Sequence, residues 1–193
     1  MEYFTQKLLI VSAPSGAGKT TLVREVMHAF DMFEFSISAT TRSPRGKEQE
    51  GVDYYFLDES NFKGKVEKGE FVEWEEVYPG RFYGTLKSEI QRILGEGKCP
   101  IFDVDVEGGL SIKKQYGIQA VAVFICPPSE QILEDRLRRR ATDAPEEIAR
   151  RLGKVKLELS YAEKFDHQVV NDILDRAVAE LESLIKQEFA FKI

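Results

Sequence analysis

The stretch Leu8-Leu9-Ile10-Val11-Ser12-Ala13-Pro14-Ser15-Gly16-Ala17-Gly18-Lys19-Thr20-Thr21-Leu22-Val23 decides how this chain is read. Leu8 to Val11 form a short apolar run, as in a buried strand. Beyond the loop, Leu22, Val23, Val26, Met27 and Phe30 recur at helical spacing. Glycines at 16 and 18 let the backbone between them curl so that successive N–H groups point inward. The helix N-terminus adds partial positive charge. This is the pattern of a phosphate loop, Gly-x-x-x-x-Gly-Lys-Ser/Thr, with Ala13 in place of the first glycine. The strand before it and the helix after it offset that departure. Ala13, Pro14, Ser15, Gly16, Ala17, Gly18, Lys19, Thr20 and Thr21 are therefore expected to cradle the phosphates of ATP. Lys19 can bridge the terminal phosphates, and the Thr20 hydroxyl can hold Mg²⁺.

Working outward, strands and helices alternate. Phe33, Phe35, Ile37 and Ala39 alternate with polar residues as one strand, and Tyr54 to Leu57 is another. Asp58 caps a short helix that stops at Gly69. Phe71 to Val77 is a strand, Tyr78-Pro79-Gly80-Arg81 a turn, and Leu86 to Leu94 a helix. Ile101 to Val106 and the wholly apolar Ala120 to Ile125 are strands, the latter covered on both faces. Ser129 caps a helix through Arg140, and Pro145 opens the next. The strand Gln168 to Val170 and a helix from Leu174 to Phe189 follow. The expected fold is α/β: a parallel sheet with helices on both faces, a small strand-rich insertion and a helical lid.

The composition is ordinary for a globular protein: 193 residues, 42% apolar and 31% charged. With 27 basic and 33 acidic residues the formal charge is -6, which disfavours nucleic acid and anionic membranes as partners. No run reaches the roughly 18 apolar residues of a membrane span. The opening segment lacks the pattern of a secretory signal, so a cytoplasmic protein is expected. Cys99 and Cys126 are expected as buried structural thiols, and with His28 and His167 they are too few for a metal site.

A phosphate loop alone does not name a reaction. Asp105-Val106-Glu107-Gly108 matches the Asp-x-x-Gly of GTPases, but those proteins also need Asn-Lys-x-Asp. Glu163-Lys164-Phe165-Asp166 lacks the Asn and precedes its strand. Elsewhere, Arg42 and Arg45 flank Pro44 in a segment with Thr and Ser donors, a suitable fork for a doubly charged phosphate.

The run Ser38-Ala39-Thr40-Thr41-Arg42-Ser43-Pro44-Arg45 resembles the signature of the guanylate kinase family. So do Asp53-Tyr54, Glu70-Phe71-Val72-Glu73-Trp74, Tyr83-Gly84-Thr85, Asp103-Val104-Asp105 and Val170-Asn171-Asp172. The matches are in order and cover nearly the whole chain. The resemblance implies a core (1–38, 86–128 and 162–193), a GMP-binding lobe (39–85) and a lid (129–161). It implies that Arg42, Arg45, Tyr54 and Tyr83 hold the GMP phosphate. Ser38, Glu73, Thr85 and Asp105 would surround the guanine, and Asp103 would face the reacting phosphates and Mg²⁺. The two aspartates, at i and i+2 of the expected strand, share a face, so either could take either task. Trp74 and Phe71 read as lobe packing. Arg136, Arg140 and Arg151 would reach the ATP phosphates from the lid, with Lys19, Arg45, Arg140 and Arg151 carrying transition-state charge. Asn171 and Asp172 would lie on the adenine side. Ala141-Thr142-Asp143-Ala144-Pro145 departs from the family's lid pattern, which has Gly after the arginine.

Guanine also has a chemical argument of its own. Its Watson–Crick edge offers two adjacent N–H donors, and one carboxylate such as Glu73 accepts both, whereas adenine presents an acceptor there. The implied reaction is Mg²⁺-dependent phosphoryl transfer from ATP to GMP. The alternatives are a non-catalytic, guanylate-kinase-like module that binds phosphopeptides, and a kinase for another nucleoside monophosphate. Lys19, Thr20 and the lid arginines oppose the first, and Glu73 opposes the second.

Overall fold

The computed structural model describes residues 7–129, 131–134 and 145–189, and for 145–152 the backbone only. Nine strands form two sheets among the described residues. The first is parallel, with order β2-β7-β1-β8-β9: β2 (Phe33–Phe35), β7 (Cys99–Asp103), β1 (Leu8–Ser12), β8 (Ala120–Cys126) and β9 (His167–Val170). β1 is buried along its whole length. Its alternate residues feed two cores. Leu9 and Val11 face the cluster built with α1 (Lys19–Ala29) and α6 (Leu174–Glu188). Leu8 and Ile10 face the cluster built with α3 (Lys87–Gly95) and α4 (Val106–Tyr116). Helices thus cover both faces, as the apolar runs require. Between β8 and β9 runs α5 (Pro145–Ser160). No helix among the described residues is long and apolar enough to cross a membrane.

The second sheet has order β4-β3-β6-β5: β4 (Tyr55–Phe56), β3 (Ala39–Thr40), β6 (Arg81–Leu86) and β5 (Phe71–Tyr78). With α2 (Glu59–Glu67) it closes a third core around Phe62, whose ring stacks on Phe71 at 4.4 Å and meets Phe82 at 5.5 Å. Asp58 caps α2 as expected, accepting from the Asn61 N–H at 2.7 Å.

Several elements differ from expectation. The single strand over Phe33 to Ala39 is two strands in different sheets. The chain leaves β7 after Phe35, and the Ser36 N–H still bonds the Ile101 carbonyl at 3.0 Å before β3 joins the lobe. β6 was not anticipated, because Gly84 and the adjoining turn mask its alternation. The strand expected to run to Val106 ends at Asp103. Asp105 instead caps α4, its carboxylate accepting from the Gly108 N–H at 2.8 Å. The Asp-x-x-Gly pattern is therefore a helix cap. The helix expected from Ser129 through Arg140 lies largely outside the described residues. Residues 131–134 are helical, and the Ile132 N–H bonds the Ser129 hydroxyl at 3.2 Å. Both cysteines are free but only half-buried, and burial raises their thiol pKa values.

Candidate active site

The phosphate loop joins β1 to α1 as the apolar run and the glycines dictate. Gly18 is the helix N-cap at φ 94°, a conformation that favours glycine. The Asn171 side-chain amide donates to the Ala17 carbonyl at 2.7 Å, tying the end of β9 to the loop. The Lys19 ammonium lies 2.7 Å from Asp103 Oδ1 and 2.6 Å from the Val104 carbonyl oxygen. Thr20 Oγ1 donates to Asp103 Oδ2 at 2.9 Å. Gly18, Lys19, Thr20 and Asp103 border a cavity of about 380 Å³, which Ala13, Pro14, Ser15, Gly16, Thr21, Asp105 and Glu158 also line. Ala17 is buried beneath it.

Across from the loop stands the β5–β6 hairpin. Phe71 pairs with Leu86, but Glu73 pairs with Thr85, so Val72 is the extra residue of a β-bulge. The bulge separates neighbours that plain alternation would put on one face. Phe71 joins the lobe core, while Glu73 shares the opposite face with Thr85, Tyr83 and Glu75. Trp74 lies on the lobe-core side near Phe82, though 47% exposed. Alternation would put Val72 on that side with Trp74, but Val72 packs into the core cluster of α3 and α4 instead. Thr85 Oγ1 donates to Glu73 Oε1 at 2.6 Å. Burial and the nearby Asp105 raise the Glu73 pKa, and the Thr85 hydrogen bond opposes them. Asp105 does not share a strand face with Asp103. It reaches this hairpin from the α4 cap, and its hydrogen bond with Glu75 is the largest of the effects that push the Glu75 carboxyl up to about 7.

The expected arginine fork is only half formed. Arg42 lies under Tyr54 at 4.8 Å, and its Nε donates to the Tyr83 hydroxyl at 3.1 Å. Both its terminal nitrogens donate to Glu48, at 2.6 and 2.7 Å, and this pairing holds the Glu48 carboxyl down to about 2. The Arg45 side chain is exposed, while its N–H donates to Glu48 at 2.7 Å. Ser38 sits half-buried on the crossing into the lobe, its carbonyl accepting from the Tyr55 N–H. Sequence reasoning missed Glu48, whose only signal is its place six residues after Arg42. It also missed Glu89 of α3, buried where lobe meets core. Glu89 accepts from the Ile37 N–H at 3.1 Å, the Tyr55 hydroxyl at 2.8 Å and Arg92 at 2.9 Å. Burial alone would raise the Glu89 carboxyl, but these donors outweigh it and lower it.

Arg136 and Arg140 lie outside the described residues, as does the side chain of Arg151, whose backbone belongs to α5. Two further α5 side chains meet the cavity walls. Lys154 Nζ is 3.9 Å from Asp105 Oδ2, and Glu158 lines the cavity itself. Asp172 accepts from the Ile173 N–H at 2.6 Å and pairs with Arg176.

A family model described as guanylate kinase matches residues 5–188. The chain belongs to the guanylate kinase family. The guanylate kinase of Porphyromonas gingivalis is 50% identical over 185 residues, covering 95% of this chain and 98% of that relative. That of Thermotoga maritima is 41% identical over 184 residues, covering 95% and 88%. The crystal structure of guanylate kinase from Anaplasma phagocytophilum superposes with a TM-score of 0.71 at 28% identity, covering 96% of this chain and 87% of that one.

Proposed function

We propose that this chain transfers the γ-phosphoryl group of ATP to GMP, forming ADP and GDP. The observation that carries the reading is one of placement. A phosphate loop with Lys19 and Thr20 faces a strand hairpin whose Glu73 and Thr85 suit a guanine edge, and Arg42, Tyr54 and Tyr83 lie on the same lobe. In this reading 39–85 is the GMP lobe, 129–161 the lid, and 1–38, 86–128 and 162–193 the core. Glu73 accepts the two guanine donors, with Ser38, Thr85 and Asp105 around the base. Arg42, Arg45, Tyr54 and Tyr83 take the GMP phosphate, and Glu48, paired with both terminal nitrogens of Arg42, fixes that guanidinium in place. Asn171 and Asp172 border the adenine side. An oxygen of the GMP phosphate attacks the γ-phosphorus as the bond to the β-phosphate oxygen breaks, and ADP leaves with that electron pair. Lys19, Arg45, Arg136, Arg140 and Arg151 neutralise the charge that spreads over the migrating group.

Magnesium fits the hard oxygen donors at the loop, the Thr20 hydroxyl and the Asp103 carboxylate, 2.9 Å apart. Among the described residues no three acidic, His or Cys side chains cluster as metal ligands. That accords with an ion bound largely by nucleotide phosphates, where it would neutralise their charge. The test is ADP formation from ATP with GMP, AMP, UMP and dTMP in turn. Rapid turnover with GMP alone is expected. No turnover with any acceptor, or a preference for another, would sink the proposal.

A further inference from the structure

Glu158 is placed where an acidic side chain is least expected. It is 8% exposed, and its carboxylate lines the cavity that the phosphate loop offers to an anion. Its Oε1 is 3.9 Å from Lys154 Nζ, one turn earlier on α5. The Ser15 backbone N–H also favours its charged form. Its Oε2 has no hydrogen-bond partner among the described residues. Burial raises its pKa above the ordinary carboxylate range, with Lys154 opposing. A buried, half-satisfied carboxylate beside a phosphate site is costly for stability and for anion binding alike, so its presence calls for a functional explanation.

We infer that Glu158 is a positioning residue for phosphoryl transfer: buried in the wall of the cavity that Ser15 and Gly16 of the phosphate loop also line, it seats α5 against the loop and so sets the place of Arg151 on that helix. Residues 151 and 158 are seven apart in one continuous helix, very nearly two turns, so the two positions lie on one side of α5. Glu158 is buried in the cavity wall beside the loop and Lys154 lies 3.9 Å from Asp105 at the α4 cap, so α5 meets two walls of the same cavity. Fixing the helix at these points fixes the backbone of Arg151, two turns earlier. Pre-set cations lower a phosphoryl-transfer barrier more than cations that must be ordered during the reaction.

The inference rests on the reading of Arg151 as a transition-state cation. The experiment compares turnover number, KM for GMP and melting temperature for the wild type, Glu158→Ala, Glu158→Gln, Arg151→Ala and the Glu158→Ala/Arg151→Ala double variant. Glu158→Ala should lower the turnover number roughly tenfold or more, with KM for GMP near the wild-type value, as loss of transition-state placement requires. Glu158→Gln keeps the shape and an acceptor oxygen at the same place, and should recover most of that loss. On the Arg151→Ala background, Glu158→Ala should cost less than about twofold, because residues acting as a unit are non-additive. A slow Arg151→Ala whose loss multiplies fully with that of Glu158→Ala would overturn the positioning role alone. Wild-type turnover in Arg151→Ala would overturn the assignment of Arg151 and this inference with it. A lowered melting temperature with unchanged turnover in Glu158→Ala would reduce Glu158 to helix packing.

Discussion

In the proposed reading Glu73 must stay ionised in a buried place to accept two guanine donors, and its surroundings make that difficult. Burial raises its pKa, so protonation sets in at a higher pH than for an ordinary glutamate. GMP selects the ionised form, so GMP affinity should weaken as pH falls through that raised value, and titration of GMP binding against pH measures it. Glu73→Gln removes the charge and turns one acceptor into a donor. It should weaken GMP by roughly 2–4 kcal/mol, the range for truncating one partner of a buried, hydrogen-bonded charge. AMP should lose less. An unchanged ratio of GMP to AMP specificity constants would mean that guanine is read elsewhere, at Ser38 or Asp105. Lys19→Met should cut turnover by about two orders of magnitude while the protein still folds, since one preorganised charge is worth a few kcal/mol; near-normal turnover would remove Lys19 from the chemistry. Lys19, Arg42 and Glu73 were legible because each sits in a local pattern with a mechanism. Glu48, Glu75, Glu89 and Glu158 were not, since a carboxylate in a sequence that holds 33 acidic residues carries no signal until the fold brings it to a partner.

In the proposed reading guanine recognition turns on the β5–β6 hairpin, and Gly84 is a tight point of that hairpin. A Cβ there would stand 2.7 Å from the Glu73 carbonyl oxygen, 2.8 Å from Trp74 Cβ and 2.9 Å from Phe71 Cδ1. Two of these contacts involve backbone or Cβ atoms, which cannot swing aside. Gly84→Ala should destabilise the protein by about 1–3 kcal/mol in urea unfolding, as overpacking does. It should also weaken GMP while leaving ATP affinity nearly intact, because the strain falls on the bulge that aims Glu73. Equal losses for both nucleotides would argue against so local an effect. The elements that sequence reasoning placed well were those with a clean period or a cap, such as β1, α1 and α2. Those missed had their period broken by glycine. Gly108 and Gly109 hid α4, although a Cβ on Gly109 would lie 2.5 Å from Ser12 Oγ, so close packing on β1 requires a small residue there. Gly84 hid β6 for the same reason, and the bulge at Val72 has no signature apart from its pairing.

At the scale of the whole molecule, the meeting of lobe and core places Glu75 against Asp105, and stability should record it. The folded Glu75 carboxyl titrates near 7, above its ordinary 4.5, so the folded state holds the proton more tightly than the unfolded chain. The stabilisation is complete below about 4.5 and lost as pH rises to about 7. Glu75→Gln should therefore melt higher than the wild type at pH 8 and show a flatter dependence between pH 5 and pH 8; parallel curves would exclude the pair as the source. The central position of β1 has a consequence for biosynthesis. This fully buried strand precedes its two neighbours, Cys99–Asp103 and Ala120–Cys126, by roughly half of the chain. At a translation rate of roughly 5–20 residues per second, the ribosome needs about 5–20 s to make the residues between β1 and the end of β7. Throughout that interval the nascent chain carries an unpaired sticky strand, and the lobe is the part synthesised meanwhile. A holdase that recognises Leu8 to Val11 on the emerging polypeptide would raise the yield of active protein most when synthesis is slow.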